Sequence, residues 1–240
     1  MTASARTNPL LATGLAVVLT GGTLAAAAPA QAQPGSASAA AVVAAKAVSS
    51  STTVEVSSAT VEFGAPVTAV AEVATTSGTP AGEVTFVVGG LATKVAVSAG
   101  VATLRIRDAV RGLNTVSATF TPSDTTTYEG SAASPTSFTV TKADTTTRLR
   151  VSGKRVGEGT SATVMAIGFH RTVPNGKARL VLRRVGQDGI LQRRQGKLGA
   201  GSRGFTLGKL DRGRYTAVVR YLGDDNHRRS KMVKSFFVRR

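Results

Sequence analysis

The sequence predicts an all-β chain of two tandem β-sandwiches, preceded by an export signal and a flexible linker. Three observations predict it. Val, Ala and Thr dominate, aromatic residues make up only 5% and Trp is absent, a composition that suits thin pleated layers rather than helix bundles. Short stretches alternate apolar and polar residues between closely spaced turn signals, the pattern of a sandwich. One pattern also occurs twice, about a hundred residues apart. Asn114–Ser131 and Arg214–Ser230 each run as an alternating strand ending in an aromatic residue (Phe120, Tyr221). A turn follows (Pro122-Ser123-Asp124, Gly223-Asp224-Asp225), then a second ring (Tyr128, His227) and a serine. Such self-similarity marks two copies of one module.

Taken in order, residues 1–32 read as a signal peptide. Arg6 and the free amine supply the positive end, Leu10 to Leu19 the apolar segment, and Ala30-Gln31-Ala32 the small-residue cleavage site. The apolar run is far shorter than the roughly 20 residues that span a bilayer. No Cys stands near the cleavage site to carry a lipid anchor. Residues 33–50, rich in Ala and Ser, read as a disordered linker.

The first module is expected over residues 51–142. Alternation predicts strands at Thr53–Val56, Val61–Phe63, Val67–Val73, Glu83–Val88, Lys94–Val97, Ala102–Arg107, Asn114–Phe120 and Thr136–Val140, with a hairpin at Gly89-Gly90. The second is expected over residues 143–240, with Thr146-Thr147 answering Thr52-Thr53, Gly159 answering Gly64 and Gly176 answering Gly82. Lys177–Leu182 would turn Ala178, Leu180 and Leu182 inward, and Phe236 and Val238 would finish the core.

Cysteine is absent, so neither disulfides nor thiolate metal sites brace either module and each must rely on burial. The net charge of +17 is unevenly placed: residues 145–240 hold 23 Lys and Arg against 5 acids, and residues 33–144 hold 6 against 8. Such asymmetry points to a division of labour between the halves.

The tandem plan, the opening Thr-Thr, and Tyr221-Leu222-Gly223-Asp224 before the last strand resemble the bacterial immunoglobulin-like domain repeats of secreted and surface proteins. The resemblance covers about 190 of the 240 residues. It implies Ig-like β-sandwiches that serve as spacers, stalks or adhesive units, with a structural turn at Gly223, Asp224 and Asn226. The first module departs from the motif, with Phe120 and Asp124 at the matching places.

No catalytic machinery is legible. There is no G-x-S-x-G elbow and no glycine-rich phosphate cradle opening a helix, so neither enzyme nor cofactor is expected. Asp224, Asp225, Asn226 and His227 form the densest polar cluster. Hard oxygen ligands could suit Ca²⁺, but Asp and Asn in turns more often accept backbone hydrogen bonds, and no metal is expected.

The basic surface is the candidate site. If the strands near 177–183, 214–221 and 232–240 are neighbours, outward positions carry Lys177, Arg179, Arg183, Arg214, Arg220 and either Lys234 or Arg239. Arg184, Arg193 and Arg194 add charge at the adjoining hairpin. Arg outnumbers Lys 17 to 6 in residues 145–240, which suits bidentate contact with phosphate or carboxylate. The expected partner is an anionic cell-envelope polymer or an anionic lipid surface. Sequence-specific nucleic-acid reading is not expected, since no helix motif or stacking platform is present. Retention by charge would replace a sortase-type anchor, which the residues up to Arg240 do not spell. The alternative is a spacer or adhesion module acting through its loops, its basic face merely solvated.

Overall fold

Strand patterning alone decides most of the architecture. In a strand, side chains alternate between faces, and β3 (Val67–Thr75) accordingly buries Val67, Ala69, Ala71 and Val73. The computed structural model describes residues 46–240. The expected signal peptide and residues 33–45 of the expected linker lie outside them.

The first half contains β1 (Ser50–Val56), β2 (Thr60–Glu62), β3, β4 (Gly82–Val88), β5 (Leu91–Ala96), β6 (Val101–Ile106), β7 (Gly112–Pro122), β8 (Ser131–Ala132) and β9 (Thr136–Thr141). One sheet has the order β1-β3-β6 and the other β2-β9-β7-β4-β5, with β8 against β7. Both sheets turn apolar side chains into one core, led by Phe86, Phe120 and Phe138.

The second half contains β10 (Thr145–Ser152), β11 (Gly159–Gly168), β12 (Lys177–Arg184), β13 (Gln192–Lys197), β14 (Ser202–Lys209), β15 (Gly213–Tyr221) and β16 (Ser230–Val238), with a short 3₁₀ turn at Phe169–Arg171. Its sheets have the orders β10-β11-β14 and β13-β12-β15-β16, matching β1-β3-β6 and β5-β4-β7-β9 strand for strand. A separate core gathers Leu180, Leu182, Leu207, Tyr215 and Tyr221. No α-helix occurs among the described residues, and none there is long and apolar enough to cross a membrane.

The repeat is closer in space than in sequence. Buried Thr52 bonds the Ser131 hydroxyl at 2.6 Å, and buried Thr147 bonds Ser230 at 2.7 Å. Thr147, not Thr146, is therefore the counterpart of Thr52. Likewise the register of β1 on β3 and β10 on β11 pairs Val67 with Thr160, so Gly64 corresponds to Gly157 rather than Gly159. Both close the same turn in the left-handed region, at φ +85° and +86°, where a side chain would be strained. Gly176 does answer Gly82. A Cβ at either would run into facing backbone, the Gly223 carbonyl or the Thr121 carbonyl.

Each half also carries a corner tied four residues back. The Tyr215 hydroxyl donates to the Asp211 carbonyl at 2.9 Å, and Asn114 donates to the Val110 carbonyl at 2.8 Å. Strand pairs are antiparallel except where early and late segments of a half meet. β2 runs parallel to β9, Val48 to Tyr128, Ala143 to His227 and Arg155 to Arg239.

Candidate polyanion-binding face

The face is built by the alternation of β12 and β15. Ala178, Leu180 and Leu182 are buried, as are Tyr215, Ala217, Val219 and Tyr221, which leaves Lys177, Arg179, Val181 and Arg183 on the outside of β12. Arg214, Thr216, Val218 and Arg220 take the same side of β15. Register then decides what lies beside what. Gln195, Arg179, Arg220 and Lys231 fall in one row across β13, β12, β15 and β16. The next row holds Arg193, Val181, Val218 and Val233. Arg183 opposes Thr216, and Arg214 opposes Phe237.

Directly opposed residues in a sheet stand about 5 Å apart, so Arg179, Arg220 and Lys231 form a run of adjacent positive charges. Arg179, Arg183, Arg193, Arg220 and Lys231 line a shallow basin of about 320 Å³ whose floor is Val181, Val218 and Ile190. No ion pair involves any of these five cations among the described residues. The Arg179 guanidinium donates to the Gln195 amide oxygen at 3.1 Å, which holds it without neutralising it. Among the described residues three hollows are larger. Two, of about 670 and 680 Å³, mix signs, with Asp108 beside Arg105 in one and Asp144 beside Lys142 in the other. A third, of about 450 Å³, shares Arg220 and Lys231 with the basin and adds Arg229.

Of the residues expected here, Lys177, Arg179, Arg183, Arg193, Arg214 and Arg220 share the outer face. Arg184 does not. It follows Arg183, so alternation sends it to the other side, at the rim of the core. There it lies 6.0 Å over the Tyr215 ring, donates to the Arg212 carbonyl at 2.8 Å and stands 3.6 Å from the Asp211 carboxylate. Arg194 is displaced for the same reason. It opposes Leu180 and reaches the Thr206 carbonyl at 3.4 Å. On the last strand Lys231 completes the charged row, while Lys234 shares the side of Phe236 and donates to the Leu149 carbonyl at 3.2 Å. Phe237 is 41% exposed on the outer face.

The Asp224 turn is a clasp. Its carboxylate accepts from the Asn226 amide at 2.9 Å, the Asn175 amide at 2.9 Å, the Tyr221 hydroxyl at 2.7 Å and His227 Nδ1 at 2.8 Å. Burial pushes this carboxyl up. The donors, led by the Asn175 amide and the Tyr221 hydroxyl, outweigh burial and hold it well below the usual carboxylate range. Burial first, and then the Asp224 carboxylate, pushes the Tyr221 hydroxyl up. Asp124 makes the smaller version. Bonds from the Thr126 and Thr127 hydroxyls at 2.6 Å, with both backbone amides, hold it down to about 2. With its oxygens filled by internal donors, Asp224 acts as a structural turn, as the Gly223-Asp224-Asn226 motif implies.

His227 extends this clasp to the first half. It is 3% exposed, its Nε2 lies 2.9 Å from the Thr172 hydroxyl, and its ring stands edge-on to Phe63 at 5.9 Å. Lys142 donates to the Asp224 carbonyl at 2.6 Å. Ala143, between β9 and β10, is held on both sides, through the Asn226 carbonyl and the Arg228 amide. Nothing in the sequence pairs Phe63 with His227, because their contact depends on how the two halves meet.

Residues 52–141 match the model of the bacterial Ig-like domain, group 3. No curated protein matches the sequence. Similar solved structures include the fibronectin(III)-like modules of Clostridium thermocellum CbhA, at 17% identity, TM-score 0.29, covering 78% of this chain and 94% of that one. The adhesin InvE of Yersinia pseudotuberculosis is similar at 15% identity and TM-score 0.38, with 77% and 58% covered. Salmonella alpha-2-macroglobulin is similar at 14% identity and TM-score 0.32, and there this chain spans only 14% of the other's length. Ig-like domains of this kind are structural or adhesive modules of extracellular or surface proteins, in general without enzymatic activity. The first half thus matches the bacterial Ig-like domain of group 3 over residues 52–141, and the second half repeats its two-sheet strand order beneath a strongly basic exterior.

Proposed function

We propose that this is an exported, non-enzymatic structural or adhesive protein whose second half holds anionic polymer of the cell envelope by charge. One observation carries the reading: five cations share one sheet face with no carboxylate paired to any of them among the described residues. Like charges on adjacent strands destabilise a sheet, and a bound polyanion would remove that repulsion. Attraction of this kind is mostly counterion release, so it weakens steeply with salt.

The test is retention of the mature chain on immobilised polyphosphate across a salt gradient. Five phosphate contacts on a flexible strand give a log–log salt slope of about −3.5, and elution is expected within a few hundred millimolar. The variant with Arg179, Arg183, Arg193 and Arg220 all changed to Glu is expected to lose retention while keeping its thermal transition. Retention indifferent to salt, or to this charge reversal, would overturn the proposal.

A further inference from the structure

The basin is not purely ionic, and its centre is the part that charge does not explain. Val181 and Val218 oppose each other across β12 and β15, with Val233 next in the row. Ile190, 42% exposed, adds to this apolar floor from the β12–β13 loop. Isolated apolar residues on a solvent face are ordinary, and arginine stems often cover them. Here the arginines stand around the valines and leave a hollow of about 320 Å³ over them. In the first half the positions matching Val181 and Val218 are Val87 and Ser117, so one of the two is polar there, and Ala92 stands where the second half has Arg193.

We infer that the basin takes an anionic amphiphile: a phosphate or carboxylate on the Arg179–Arg220–Lys231 row and the adjoining hydrocarbon over Val181, Val218 and Ile190. The inference rests on the charge-based reading above and names the ligand class for the same face. A simple polyanion would meet the cations and leave the apolar floor wet. A neutral apolar ligand would strand five desolvated cations without partners, which is costly. A ligand with both features satisfies both. This chain offers no acidic segment of its own upstream, since residues 1–45 contain no Asp or Glu. On the outer face of the matching sheet of the first half, Glu83 is 3.2 Å from Lys94 and Glu62 is 3.5 Å from His170.

Octyl phosphate, inorganic phosphate, octyl glucoside and polyphosphate, titrated singly into the mature chain and followed by calorimetry, separate the possibilities. Covering two or three methylenes corresponds to a gain of about 15- to 60-fold, so octyl phosphate is expected to bind at least tenfold more tightly than inorganic phosphate. The double variant Val181→Thr, Val218→Thr keeps shape and strand preference. It is expected to erase that gain, to bind polyphosphate as before and to keep the wild-type thermal transition, which shows that it folds. Equal affinity for octyl and inorganic phosphate, with polyphosphate still bound, would overturn the amphiphile and leave the charge reading standing. Octyl glucoside binding as tightly as octyl phosphate would overturn the amphiphile by making the contact apolar alone. Binding of none of the four would remove both readings.

Discussion

The two halves share a skeleton and differ in their outer walls. Matching sheets have matching strand orders, matching threonine–serine bonds and matching glycines that sit against backbone. On the wall of the first half, Thr85, Thr119, Ser117 and Thr115 line up, and its Glu83 and Lys94 pair with each other at 3.2 Å. On the wall of the second, Arg179, Arg220 and Lys231 stand side by side. The inward half of each strand's residues sets the fold, while the outward half is free to diverge, because only the former compete for the core. An Ig-like scaffold can therefore acquire a charged surface without a change of topology.

The largest expected effect falls on what is common. Gly82→Ala and Gly176→Ala each drive a methyl group into facing backbone and are expected to cost about 3 kcal/mol or more, read from urea unfolding. If only one does so, the two glycines are not equivalent.

The clasps come next, and here the halves should differ. Asp224→Ala removes a carboxylate with four internal donors and is expected to cost about 2–4 kcal/mol. Asp124→Ala, on an exposed turn, should shift the melting temperature much less. The pH dependence has a fixed sign. A folded carboxyl held below its unfolded value near 4 contributes fully above that pH and loses its contribution as pH falls through the folded value. Stability should therefore decline below about pH 4, and Asp224→Ala should flatten that decline more than Asp124→Ala. A wild-type chain equally stable at pH 3 and pH 6 would contradict this.

The smallest effect concerns the walls themselves. Arg220 lies between Arg179 and Lys231. Arg220→Thr should raise stability by roughly 0.2–1 kcal/mol at low salt and by nothing measurable at high salt. The matching Thr119→Arg, beside uncharged Thr85, should lack that salt dependence.

Much of this was legible from residue patterns. The alternation in Val67–Val73 and Lys177–Leu182 places core side chains correctly, and the Gly-Asp turn announces its own hydrogen bonds. Arg184 and Arg194, expected only as added charge at the adjoining hairpin, turn away from the outer face because consecutive residues of a strand point to opposite sides. Gln192–Lys197 contains no apolar residue to reveal which face is which. Residue patterns leave the choice between Lys234 and Arg239 open and miss Lys231. The outward side of the last strand is fixed only by its register on β15, where Lys231 opposes Arg220 and Lys234 opposes buried Ala217. Partners brought together across the chain, such as Phe63 with His227, leave no local signal at all.

The few parallel contacts carry a mechanical meaning. β2 with β9, Val48 with Tyr128, Ala143 with His227 and Arg155 with Arg239 each join an early stretch of chain to a late one running the same way. Tension on the two ends drags such partners past each other along their length, so their bonds resist in concert instead of peeling open singly. A protein tethered at one place and tugged at another would find its strongest grip at these seams.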